Sequence, residues 1–79
     1  MKLPRDLDGR TLVWVLCRGW DYRVINQESS HIILQADSPS RQRIPVPDHY
    51  PVRIGTLSKI LRLIAAHKGV EREDILRSL

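Results

Sequence analysis

The chain is predicted to be a small α+β domain, with helices on one face of a three-stranded antiparallel sheet. Three observations lead to this fold class. With 79 residues and 42% hydrophobic side chains, the chain is long enough for one domain and one core. Apolar residues recur at helical spacing towards both ends of the chain. Between them, three short segments alternate between apolar and polar residues, as half-buried strands do. A single domain over residues 1–79 is therefore expected.

The first helix is expected to begin after Asp8 or Thr11, either of which can cap it, and to run to about Arg18. Gly19 then ends this helix. One face of it carries apolar or small residues at helical spacing, namely Leu12, Val15, Leu16 and Gly19.

Three strands are predicted over residues 21–27, 31–35 and 41–48, separated by polar turns at residues 28–30 and 37–40. Pro45 and Pro47 cannot donate ladder hydrogen bonds, so the third strand is expected at an edge of the sheet. Once Ile32 and Leu34 are assigned to the core, strict alternation fixes both faces. The helix-facing set is Tyr22, Val24, Asn26, Ile32, Leu34, Ile44 and Val46. The opposite set is Arg23, Ile25, Gln27, His31, Ile33 and Arg43.

A long second helix is expected to follow, capped by Thr56 and ended by Gly69 in the left-handed conformation. Its apolar face carries Leu57, Ile60, Leu61, Ile64 and Ala65. A short last helix is predicted over residues 71–79, with acidic residues at its N-terminal end, where the helix dipole favours negative charge. The predicted order of elements is α-β-β-β-α-α.

Several classes of function are disfavoured by the sequence. The longest apolar run, residues 12–17, is far shorter than the roughly 20 residues of a membrane span. The N-terminal segment lacks the apolar core of a secretory signal. The single cysteine, Cys17, cannot form an internal disulfide, so a reduced cytoplasmic protein is expected. The only other potential soft ligands, His31, His49 and His67, show no metal-ligand spacing, and no cofactor motif is present, so neither metal nor cofactor is expected.

The charge and one histidine point towards a polyanionic partner. The chain has 13 Lys and Arg against nine Asp and Glu, a net charge of +4, which is typical of small domains that bind nucleic acid. His31 opens the second strand on the sheet face that no helix is predicted to cover. A positioned imidazole can act as an acid–base group towards the 2′-hydroxyl of RNA without a metal. The candidates for phosphate contacts are Arg23, Arg41, Arg43, Arg53 and Lys59.

Four segments in order along the chain carry a family resemblance. They are Lys2-Leu3-Pro4-Arg5 with Gly9 and Leu12; Ser30-His31 before Ile32-Ile33-Leu34; Ile44-Pro45-Val46-Pro47-Asp48-His49; and Gly55-Thr56-Leu57 with Ile60-Leu61-Arg62. With these segments the chain resembles the HicA toxins, small mRNA interferases of bacterial and archaeal toxin–antitoxin systems. Ser29 stands where the family's strand motif has Gly. The resemblance implies a fold like the double-stranded-RNA-binding domain, mRNA cleavage that depends on His31, and neutralisation by a cognate HicB-like antitoxin.

Two other functions fit the same predicted fold. The chain could be a module that grips duplex RNA by its shape without cutting it. It could also be an interaction subunit that docks a protein through Trp14 or through Ile25 and Ile33. Cleavage of single-stranded RNA separates the nuclease from the first alternative, and a stable protein complex without RNase activity would favour the second.

Overall fold

A computed structural model describes residues 2–79 of the chain. Its elements follow the predicted order, and the fold is a small α+β domain with a three-stranded antiparallel sheet. They are α1 (Gly9–Gly19), β1 (Arg23–Glu28), β2 (His31–Ala36), β3 (Gln42–Pro47), α2 (Ile54–Lys68) and α3 (Arg72–Leu76). None of the helices described is long and apolar enough to cross a membrane.

The sheet has the order β1-β2-β3, so β2 is central and both other strands are edges. The expectation that the proline-bearing third strand lies at an edge is confirmed. In the β2–β3 ladder His31 pairs with Pro47, Ile33 with Pro45, and Gln35 with Arg43. Antiparallel partners point to the same face of a sheet, so these residues share the face opposite Ile32 and Leu34.

One apolar core joins the sheet to the helices. Ile32, Leu34, Ile44 and Val46 are buried, as their alternation predicted, and they pack in one cluster with the apolar faces of α1 and α2. The buried helical residues of this cluster are Leu12, Leu16, Leu57, Ile60, Leu61, Ile64, Ala65, Ile75 and Leu76. Because this cluster occupies one side of the sheet, the face carrying His31 is left open.

A β-bulge in β1 corrects the predicted faces of that strand. Val24 pairs with Leu34, but Asn26 pairs with Ile33 and Gln27 with Ile32, so Ile25 is an extra residue. An inserted residue shifts the alternation by one. The assignment of Asn26 to the helix face and of Gln27 to the open face is therefore wrong, and the two are exchanged. Val24 opposes a core residue but is 51% exposed, because β1 is an edge strand.

The observed helix ends agree only in part with those predicted from the sequence. Asp8 caps α1 by accepting from the backbone N–H of Arg10 at 3.1 Å, and Gly69 ends α2 with φ 69°. The expected Thr56 cap is wrong, because α2 begins at Ile54 with Arg53 at the N-cap and no side-chain cap bond. Just before α2, the buried Val52 is anchored by its backbone N–H, which donates to the Leu7 carbonyl at 2.8 Å. The last helix ends at Leu76, three residues before the expected position 79.

Candidate functional site

His31 is the first residue of β2 and lies at the end of the β1–β2 hairpin, with its side chain exposed. The two-residue turn before it is Ser29-Ser30, and Ser29 adopts the left-handed conformation with φ 56°. A non-glycine residue in this region carries backbone strain of roughly 1 kcal/mol. Ser29 therefore holds this turn in a conformation that glycine would adopt without strain. The partners of His31 in the sheet are Glu28 on β1 and Pro47 on β3.

The segment that follows β3 is fixed beside His31 by several contacts. The Asp48 backbone N–H donates to the Ser30 carbonyl at 2.7 Å. The Asp48 carboxylate accepts two bonds from the Arg10 guanidinium, at 2.9 and 3.3 Å, and one from the Gln27 amide at 3.1 Å. The hydrogen bonds from Arg10 and then from Gln27 hold the pKa of Asp48 below its ordinary value. Asp48 thereby ties α1, β1 and the hairpin turn to the chain that borders His31.

A second attachment of this segment is made by the start of α1. The Gly9 N–H donates to the His49 carbonyl at 2.9 Å. A Cβ built at Gly9 would lie 1.9 Å from the Pro47 carbonyl oxygen, so the two backbones meet at a distance that only glycine allows.

Two clefts meet at His31. The first has a volume of about 300 Å³ and lies between β3 and α2; its walls are mostly apolar, with Lys59 as the cation. The second has a volume of about 490 Å³ and includes Arg53. His31, Pro47 and Thr56 line both. The remaining lining residues are Ile44, Pro45, Ile60 and Leu63 in the first cleft and His49, Tyr50 and Pro51 in the second. Within residues 2–79, no carboxylate lines either cleft, and the acidic residue opposite His31 in the sheet, Glu28, is on β1 outside both linings.

The structure places only two of the five candidate basic residues, Arg53 and Lys59, in clefts with His31. Arg23 and Arg43 lie beside Gln35, four residues along β2 from His31, which is about 13 Å at ordinary strand rise.

At that far end of the sheet, Arg23 pairs with the Asp37 carboxylate, and Arg43 donates to the Gln35 side-chain carbonyl at 2.9 Å. Hydrogen bonds from Arg23 and then from Gln35 lower the pKa of Asp37, and the nearby charge of Arg41 lowers it further. Arg23, Arg41 and Arg43 thus form a second basic group, partly neutralised by Asp37 and separate from His31.

The remaining histidines and the cysteine differ in their surroundings. The His67 Nε2 lies 2.8 Å from the Ser40 carbonyl oxygen, which gives this imidazole a structural contact. His49 follows β3 and is exposed in the second cleft with His31. Burial raises the pKa of the Cys17 thiol, which disfavours the reactive thiolate. Among residues 2–79, no three His, Cys, Asp or Glu side chains come together as a metal site.

Sequence reasoning missed two residues near His31. Asp48 was named only as part of a motif, and not as the residue that holds the segment after β3. Its position between the edge strand and His49 is the feature of the sequence that could have indicated this role. Tyr50 is 69% exposed and lines the second cleft. Its signal is that a chain with only four aromatic residues places one in a turn, between His49 and Pro51.

Comparisons of the chain with protein-family models, with curated proteins and with solved structures found no match. The resemblance to the HicA family rests on the four sequence segments that carry it.

Proposed function

We propose that the chain is a HicA-like toxin, a metal-independent endoribonuclease that cleaves mRNA in the cytoplasm with His31 as its acid–base residue. The observation that carries this proposal is the position of His31. An exposed imidazole stands where two clefts meet, Arg53 and Lys59 line those clefts, and none of the described lining residues is a carboxylate. A phosphodiester in either cleft is attracted by the cation of that cleft, and it lies beside the imidazole of His31, which lines both clefts.

The proposed fold relationship is to the double-stranded-RNA-binding domain. The element order and the three-stranded antiparallel sheet are compatible with it. The proposed site lies at the hairpin end of the open face and extends towards the start of α2, where Thr56 lines both clefts.

The chemistry is a transfer within the RNA. His31 accepts the proton of a ribose 2′-hydroxyl as its oxygen forms a bond to the adjacent phosphorus. The bond from phosphorus to the 5′-oxygen breaks, and that oxygen takes a proton from water or from His49, which shares the second cleft. The products are a 2′,3′-cyclic phosphate and a 5′-hydroxyl. Arg53 and Lys59 neutralise the phosphate charge.

The proposed inhibitor is a HicB-like antitoxin that covers the open face. Ile33 is half-buried there, two residues from His31 on the same strand face, and Ile25 is 37% exposed at the bulge of β1. A partner that buries these apolar side chains also closes the approach to His31.

The test is cleavage of one RNA by wild type and by His31→Ala, each with a thermal melt. His31→Ala is expected to lose roughly a hundredfold or more in rate. Its stability is expected to stay within about 0.5 kcal/mol, because an exposed side chain is removed. DNA of the same sequence is spared, and EDTA changes nothing.

The matched control is His67→Ala, which removes a histidine bonded to the Ser40 carbonyl, away from the clefts. It is expected to lose about 1 kcal/mol of stability and to keep the cleavage rate. A His31→Ala protein that melts normally and still cuts would move the chemistry to another residue, with His49 next. A His31→Ala protein that does not fold would make His31 structural.

A further inference from the structure

Tyr50 is the most exposed large apolar side chain of residues 2–79, at 69%. The other three aromatic side chains have partners within the chain. Tyr22 is buried and bonds Gln42, Trp20 donates to the Ser78 hydroxyl at 3.0 Å, and the Arg18 guanidinium lies 5.0 Å from the Trp14 ring centre. An exposed ring in a small chain is a natural contact for a ligand with a flat apolar face.

The surroundings of Tyr50 indicate the chemistry of that ligand. Tyr50 shares the second cleft with His31, His49 and Arg53. A ring, two imidazoles and a guanidinium, with no carboxylate among the described lining residues, suit a ligand that is both planar and anionic. A nucleotide has this combination, because its base has a π-face and its phosphate is negative.

We propose that Tyr50 stacks on one base of a single-stranded RNA segment whose neighbouring phosphate lies at His31. This inference rests on the proposed function. In a duplex each base is already stacked and paired, so its face is not free for a side chain. The site therefore selects single-stranded or unpaired RNA, although the proposed fold relatives grip duplexes.

The direct test is binding of a fluorescent single-stranded RNA whose 2′-hydroxyls are all replaced by 2′-fluoro groups. This probe has no 2′-nucleophile and stays intact, so binding is measured separately from cleavage. Tyr50→Ala is expected to weaken its affinity roughly five- to a hundredfold, the usual effect of removing one stacked aromatic. Tyr50→Phe keeps the ring and is expected to bind within twofold of wild type. Tyr50→Leu is expected to resemble Tyr50→Ala.

The matched control is Trp14→Ala, which removes an aromatic that is 60% exposed and lines neither cleft. It is expected to leave the affinity for the RNA within twofold of wild type. A blunt duplex of the same sequence is expected to bind more weakly than the single strand and to respond little to Tyr50→Ala. Thermal melts establish that every variant is folded.

The two proposals fail in different ways. Equal affinity of Tyr50→Ala and wild type for the single strand overturns the stacking while His31-dependent cleavage stands. Tighter binding of the duplex overturns it as well. A Tyr50→Ala protein that loses only the affinity for a protein inhibitor overturns it in favour of a protein contact. If the binding results are as expected but His31→Ala cuts like wild type, the stacking stands and the assigned chemistry fails.

Discussion

The closest backbone approach beside the candidate site makes Gly9→Ala the most demanding test of the structure. The new Cβ would lie 1.9 Å from the Pro47 carbonyl oxygen, 3.1 Å from its carbon and 3.3 Å from the His49 nitrogen. A carbon and an oxygen rest at about 3.4 Å. The start of α1 and the end of β3 must therefore separate by about 1.5 Å, and no flexible side-chain end is there to yield.

The magnitude follows from two effects. Forcing an extra methyl group into a packed position costs about 1–3 kcal/mol. The displacement also stretches the hydrogen bond from the Gly9 N–H to the His49 carbonyl, now 2.9 Å, which contributes about 1 kcal/mol. The expected loss of stability is about 2–4 kcal/mol. This is a large part of the free energy of unfolding, roughly 4–12 kcal/mol, expected for a domain of this size. At about 4–8 °C per kcal/mol, the melting temperature is expected to fall by 10–30 °C.

The assay is thermal and urea unfolding followed by circular dichroism, with Gly19→Ala as the control. Gly19 is at the other end of the same helix, and a Cβ there would meet nothing within 4 Å. Gly19→Ala is expected to be neutral or slightly stabilising, because alanine is the better helix former. A Gly9→Ala protein that melts within about 2 °C of wild type would refute the close approach of α1 to Pro47.

Three further predictions concern the Ser29-Ser30 turn, the Asp48 carboxylate held by Arg10 and Gln27, and the cation of the first cleft. Ser29→Gly is expected to raise stability by about 0.5 kcal/mol in urea unfolding, because relief of left-handed strain exceeds the added chain entropy. Asp48→Asn is expected to lower the melting temperature at pH 7. The folded-state pKa of Asp48 is depressed, so the stability that its carboxylate contributes is fully present above its unfolded pKa of about 3.9. That stability is lost as the pH falls through the lower folded-state pKa. The melting temperatures of wild type and Asp48→Asn are therefore expected to converge in acid. Lys59→Gln is expected to reduce the salt slope of log affinity for single-stranded RNA by about 0.7, and an unchanged slope would exclude a phosphate contact.

The strands with one clear apolar face could be predicted from the sequence. Ile44 and Val46 alternate with proline residues. In β2, one face carries Ile32 and Leu34 and the other carries His31, Ile33 and Gln35, so the observed register buries the more apolar face. β1 carries no such constraint. It is an edge strand, its residues are all exposed, and it has adjacent apolar residues at Val24 and Ile25. Local alternation could not locate the bulge, because the inserted residue is defined by pairing with β2 and not by β1 alone.

The candidate site was predictable only in its local part. His31 could be identified because a motif and a strand start coincide at one residue. Its grouping with Arg53 and Lys59 depends on where α2 packs beside β3, which no short pattern contains. For the same reason the sequence did not separate these two cations from Arg23 and Arg43, which lie at the other end of the sheet beside Asp37.

The segment from Pro47 to Tyr50 combines structural attachments with side chains of the proposed site in four residues. Its first three are fixed: Pro47 in the ladder with His31, Asp48 by Arg10 and Gln27, and His49 through its carbonyl to α1. The side chains of His49 and Tyr50 remain exposed in the second cleft.

Under the proposed function, this arrangement connects the stability of the domain with RNA cleavage through specific residues. Gly9 and Asp48 hold the segment, so their replacement is expected to lower stability and RNA cleavage together. His31 and Tyr50 are exposed and support little packing, so their replacement is expected to lower cleavage or RNA binding while the fold is kept. A substitution at Asp48 that destabilises the domain but leaves RNA affinity and cleavage unchanged, at a temperature where the variant is folded, would show that the Asp48 contacts do not position the site.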